Sequence, residues 1–205
     1  MSKVVGWGPD IISALAPTGY PKPGITKIEW FKLALVMNGG VEYFDAANLP
    51  PLPSGMTDVD VVTDWLSNMR QGIRLHLQRE FANIFSDEEH KIAWNFAVPP
   101  YLSPEAKAKL QTAIIRAGYL QDASDDRLTF VDDHKALAFS SLHAGLAFVE
   151  AEDAILVVDA GGATVDLISY KVVAEHPLEL VELAPLSGDS CGFVFSAPVL
   201  KKILI

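Results

Sequence analysis

Ile155-Leu-Val-Val-Asp-Ala-Gly-Gly-Ala-Thr-Val-Asp-Leu-Ile-Ser-Tyr-Lys-Val172 is the stretch whose reading decides the fold. An apolar run, Ile155–Val158, reads as a buried strand. It ends at Asp159, turns through Gly161 and Gly162, and resumes with Thr164, Val165, Leu167, Ile168, Tyr170 and Val172. The residues after the turn are β-branched, apolar or aromatic, so they favour a second strand over a helix. That excludes two familiar glycine-rich phosphate loops. A Rossmann fingerprint needs G-x-G-x-x-G opening a helix, and a P-loop needs G-K-[ST] opening one. What remains is a hairpin whose glycines let backbone N–H groups approach an oxyanion closely. Asp159 and Asp166 flank the turn and Thr164 adds a hydroxyl. Two carboxylates beside a phosphate repel it unless a cation lies between, so the constellation predicts Mg²⁺. The same residues equally describe an ordinary glycine-rich hairpin with solvated aspartates.

Upstream of the hairpin, strand and helix patterns alternate. Ile92–Val98 alternates large and small side chains with period two, and Pro99 and Pro100 end it because proline donates no ladder hydrogen bond. Ser103 caps a helix that starts at Pro104, carries the stripe Ala106, Leu110, Ala113 and Ile114, and ends before Gly118. Leu128–Val131 reads as a strand. Asp132 and Asp133 open a further helix in which Ala136, Leu137, Ser140 and Ala144 share a face. This order predicts an α/β sheet with helices packed on it. Further upstream, Thr57 with Asp58 and Asp60 signals a helix start. Val62, Trp65, Met69, Ile73, Leu77, Phe81 and Ile84 then recur every three or four residues, as in an amphipathic helix on the order of 40 Å long. Residues 1–53, rich in proline and glycine, read as an irregular outer subdomain with one short helix over Ile28–Val36 carrying Trp30, Leu33 and Val36 or Met37. The expected organisation is thus 1–53, an α/β part at 54–150, and a third part at 151–205 carrying the hairpin.

The chain has 205 residues, half of them apolar, and a formal net charge of -10. That length fits one large domain or two small ones and supports a core without staples. The acidic balance argues against nucleic-acid and anionic-membrane partners, which demand a basic footprint. The single cysteine, Cys191, excludes a disulfide framework and fits a reducing, cytoplasmic setting. The first twenty residues, broken by Gly6, Gly8 and Pro9, do not read as a signal peptide. No apolar run approaches the roughly 20 residues that span a bilayer.

With these residues in place, Asp159-Ala-Gly-Gly-Ala-Thr-Val-Asp166 resembles the second phosphate motif, D-x-G-G-G-T-x-D, of the actin-like ATPases, and specifically of the seventy-kilodalton heat-shock chaperone family. Ala97-Val-Pro-Pro-Tyr101 with Ala117-Gly118 resembles that family's T-V-P-A-Y and A-G-L. Asp133-His-Lys-Ala-Leu-Ala138 resembles E-P-T-A-A-A, and Gly188 with Cys191-Gly192 resembles the paired glycines after the next strand. Glu29–Leu33 and Trp65–Arg70 also look like a divergent branch of the family. The ordered set covers about Ile92 to Leu200. It implies an actin-like, ribonuclease H-like α/β fold, incomplete here, with most of the first lobe and the opening hairpin of the second. It implies ATP or ADP with Mg²⁺ as cofactors, and client polypeptides or co-chaperones as partners through a longer parent chain. Gly161, Gly162, Ala163 and Thr164 would cradle the phosphates, and Asp166 would assist with the cation. Asp159 would hold Mg²⁺ through water or orient the attacking water. Asp133 takes the place of a glutamate facing the metal, giving catalytic roles to Asp159 and Asp133. Pro99 matches a hinge proline, and Lys107 stands for its arginine partner.

The departures from the family pattern are specific. Ala163 replaces the third glycine, His134-Lys135 replaces P-T, and no D-x-G-T-T loop or its nearby lysine occurs in the sequence. These predict weak hydrolysis or none, and they keep open a non-catalytic interaction or regulatory module of the same fold. A sugar or acetate kinase of this superfold is disfavoured for want of an acceptor site. Gly188-Asp-Ser-Cys-Gly192 is similar to the nucleophile segment of chymotrypsin-like proteases, but helices in α/β order exclude their double barrel. The basic stretch Met69–Arg79 reads as a solvated helix face, and the five histidines show no metal-ligand spacing.

Overall fold

The structure is a computed structural model that describes residues 4–32, 35, 51–100, 102–145, 148–162 and 164–189. The chain is mixed α/β. Thr57 begins its longest element, α1 (Asp58–Glu88), with a capping box. The Asp60 N–H donates to Thr57 Oγ1 at 3.2 Å, and the Thr57 N–H donates back to Asp60 Oδ2 at 2.9 Å. These bonds satisfy donors that the first turn of a helix otherwise leaves bare. They also hold the Asp60 carboxyl down to about 2, chiefly through the Thr57 N–H and hydroxyl and then Arg116. A carboxyl whose folded value lies below its unfolded value stabilises the fold above the unfolded value. The contribution of this cap is therefore full above about pH 4 and disappears as pH falls toward about 2. We expect Thr57→Ala to cost about 1 kcal/mol at neutral pH, measured by urea unfolding, and less at pH 2.

α1 departs from the straight rod its periodicity implies. Glu89, just past its end, pairs with Arg70 at 2.7 Å and with Arg74 at 2.9 Å. On a straight helix Arg70 and Glu89 would lie roughly 28 Å apart at 1.5 Å per residue, so the element turns back on itself between Arg74 and Glu89. Its buried stripe is also displaced. Val61, Val62 and Leu66 are buried, whereas Trp65 and Phe81 are exposed.

β1 (Trp94–Val98) ends at Pro99, and α2 (Pro104–Arg116) starts as the sequence indicates, with Ser103 Oγ accepting the Ala106 N–H at 3.1 Å. Gly118 takes φ 83° and its N–H donates to the Ile115 carbonyl, closing the helix. α2 packs on α1, and Lys109 and Arg116 reach back to Asp58 and Asp60. β2 (Leu128–Asp132) pairs in parallel with β1. Tyr119 donates to the Leu66 carbonyl at 3.1 Å and meets Trp94 edge-on, and burial pushes its phenol up to about 12.

α3 (Asp133–His143) follows, then an antiparallel meander of β3 (Ala154–Ala160), β4 (Val165–Glu175) and β5 (Leu178–Asp189), in the order β3-β4-β5. Two sheets thus stand where the alternating pattern suggested one. Ala138 of α3 packs into a core with Ile168, Tyr170, Val172 and Leu180. The face of α3 that is buried carries His134 and Ala138, while Leu137 and Ser140 are exposed. β3 is not the buried strand its composition suggests. It alternates, with Ile155 and Val157 on the core and Leu156 and Val158 exposed at 65% and 53%.

The chain divides into two compact units, one of residues 1–95 and 102–129, the other of 96–101 and 130–205. Of the helix expected over Ile28–Val36, Phe31, Lys32 and Leu35 are helical. Ile28 and Glu29 are not, because Trp30 takes φ 60°, a left-handed conformation no right-handed helix runs through. Leu33, Val36, Met37, Ala163, Cys191, Gly192 and the apolar end of the chain lie outside the described residues. Among the described residues no helix is long and apolar enough to cross a membrane.

Candidate functional site

The hairpin forms as the sequence predicts, and its register places the two aspartates. The turn closed between Gly161 and Thr164 makes Asp159 and Asp166 direct cross-strand partners. Directly opposed residues share a face, with Cβ atoms about 4.5–5.5 Å apart, and like charges so placed destabilise a sheet. On the other side of β4, Asp166 faces Gly188 of β5. The row Asp159, Asp166, Gly188 therefore crosses the core-side face at the turn end of the sheet. Asp166 is 7% exposed and Asp159 is half-buried. Among the described residues no hydrogen bond or ion pair reaches the Asp166 carboxylate. A carboxylate this buried is costly unless a donor or a cation meets it.

The two glycines of the turn differ in what their amides meet. The Gly161 N–H donates to the Thr164 carbonyl at 2.9 Å and closes the turn, so this amide is not open to a phosphate. A Cβ at Gly161 would lie 3.3 Å from that carbonyl oxygen, so close approach within the turn favours glycine here. Gly162 is exposed, and its amide makes no backbone bond among the described residues. Thr164 is half-buried, and Ala163 lies outside the described residues.

Asp133 stands in the first turn of α3. Its Oδ1 accepts the His134 N–H at 2.8 Å, so part of the carboxylate is engaged by its own helix. Burial, with the charges of Glu182, Asp132 and Asp133, raises the Tyr170 phenol. Tyr170 lies four residues along β4 from Asp166, about 13 Å at 3.3 Å per residue. Asp159 and Asp166 are therefore brought together, and no described contact joins Asp133 to them. Pro99 ends β1, and Lys107 sits in the first turn of α2, where its N–H donates to the Ser103 carbonyl.

His134, which the sequence marks only as a departure from P-T, is 1% exposed. Its Nδ1 comes within 2.8 Å of Asp133 Oδ1, but neither ring nitrogen makes an aligned hydrogen bond. We expect His134→Leu to raise stability by about 1 kcal/mol, seen as a higher urea midpoint, because it removes a buried imidazole that makes no aligned hydrogen bond. Nothing in the spacing signals this burial. A cavity of about 550 Å³, lined by Phe139, Leu142, His143, Phe148 and His176 among others, lies at the other end of α3 and includes none of these residues.

Among the described residues no group of three or more His, Cys, Asp or Glu could hold a metal ion. Mg²⁺ is commonly held by one or two carboxylates, with phosphate oxygens and water completing its shell. The pair Asp159 and Asp166 fits that arrangement and does not fit an all-protein metal cage. Comparison with protein-family models and with curated proteins gives no match for this chain.

Proposed function

We propose that this chain binds ATP or ADP with Mg²⁺ in an actin-like arrangement, as the resemblance to the seventy-kilodalton heat-shock chaperones implies. The observation that carries the reading is the buried Asp166, met by no described donor and set directly opposite Asp159 beside a glycine turn. Such a pair is repulsive alone and favourable around a divalent cation. In this reading Asp159 and Asp166 hold the nucleotide's Mg²⁺, and Gly162 and Thr164 approach the phosphates. Bound Mg²⁺ would supply charge neutralisation at the phosphates. Asp133, bonded to its own helix, contributes from a distance. Hydrolysis is slow or absent, since phosphoryl transfer depends on positioning and the sequence has no counterpart of the first phosphate loop or of the family lysine near it. Client polypeptides or co-chaperones are the partners such a domain would serve.

A second reading is a non-catalytic interaction module that has lost nucleotide. The closed Gly161 amide supports it, and so does the exposed apolar face of Leu156, Val158, Leu167, Val173, Val181 and Leu183. Calorimetric titration with ATP and ADP in Mg²⁺ separates the two. Micromolar binding, abolished in Asp159→Asn, is the expected result. No heat at millimolar nucleotide would overturn the nucleotide reading in favour of the second.

A further inference from the structure

We infer that Gly188 is a positioning residue, whose missing side chain sets where the Asp166 carboxylate points. The inference concerns the same site and, for its consequence on cation binding, rests on the nucleotide–Mg²⁺ reading above.

Gly188 is an unusual choice on local grounds. It lies within β5, where glycine weakens a strand and offers nothing to pack. Its φ is not in the left-handed region that only glycine adopts readily. The explanation is space. Gly188 pairs with Asp166 across the β4–β5 ladder. A Cβ on Gly188 would collide with Asp166 Oδ1, and it would lie 3.2 Å from Asp166 Cγ and 3.0 Å from the Val165 carbonyl oxygen. The carboxylate therefore lies over the bare Cα of Gly188, turned toward β5.

On its other flank Asp166 faces Asp159. Two like charges at cross-strand distance repel, and at 7% exposure Asp166 has little water to screen it. Repulsion on one side and open space on the other fix the rotamer, because no described hydrogen bond does so. Any side chain at 188 pushes the carboxylate back toward Asp159 or out of its pocket. Gly188 thus governs the separation of the two carboxylates. Mg²⁺ demands near-ideal octahedral geometry, so it is sensitive to that separation.

The test is a thermal-unfolding cycle on the full chain with Gly188→Ala, Asp166→Ala and the double variant, joined to calorimetry of Mg²⁺ with ADP. Gly188→Ala is expected to lower Tm by about 5 °C in the parent and by less than half as much in the Asp166→Ala background. The Val165 contact is present in both backgrounds and cancels from the cycle. MgADP binding should weaken at least about tenfold in Gly188→Ala. Should Gly188→Ala alone fail to fold, recovery of folding in the double variant supports the inference. Equal Tm shifts in both backgrounds, or MgADP binding by Gly188→Ala as tight as the parent's, would overturn it. A coupled cycle in a parent that binds no MgADP supports the positioning of Asp166 and overturns the nucleotide reading instead.

Discussion

Asp166→Asn is expected to make the protein more stable and to abolish its response to Mg²⁺–nucleotide. Asparagine has the same shape and fits the same space beside Gly188, but it removes one of two opposed charges from a site that is 7% exposed. Relief of like-charge repulsion and of charge burial is worth on the order of 1 kcal/mol, which raises Tm by roughly 2–4 °C in a chain of this size. The parent should gain stability when MgADP is added, because a ligand that binds only the folded state shifts the unfolding equilibrium. Asp166→Asn should not. Differential scanning fluorimetry with and without MgADP reads both effects. A variant less stable than its parent would show that the carboxylate has a stabilising partner. The opposition of stability and binding is the pattern expected of a functional site.

Ile114→Ala should be the most damaging single truncation in the first compact unit. Ile114 is 0% exposed, on the face of α2 that also buries Ala106 and Ala113. Removing its outer carbons loses transfer energy and leaves a cavity, together about 2–5 kcal/mol. Phe81→Ala is the control. The spacing of apolar residues along α1 places Phe81 in the same stripe as Val62, yet it is 56% exposed, so its truncation should change stability by less than about 1 kcal/mol. Urea unfolding of the two variants makes the comparison. Equal losses would mean that the turn end of α1 is packed as tightly as its start.

These expectations differ because short-range and long-range features of the sequence have different standing. Thr57 with Asp60, Ser103 before Pro104, Gly118, and Pro99 after Val98 each act through bonds or sterics within a few residues. All four mark element ends in the structure. The hairpin is of the same kind, since Gly161 and the β-branched residues after it define a turn between two strands. The faces were less legible. Composition alone made Ile155–Val158 a buried strand, whereas only its alternate residues meet the core below α3. The stripe of α3 shifts to His134 and Ala138 because the sheet opposite it determines which side is covered.

By itself, then, the sequence determined where elements start and stop, that helices and strands alternate up to a glycine hairpin, and which residue types gather around its turn. The tertiary structure decided what those residues can do. It set Asp166 opposite Asp159 and over Gly188, closed the Gly161 amide onto Thr164, turned α1 back so that Glu89 meets Arg70 and Arg74, and divided the strands between two sheets. The reason is range. Caps and turns are governed by neighbours within about four residues, whereas a buried face, a cross-strand pair or a bent helix depends on groups the chain supplies much later.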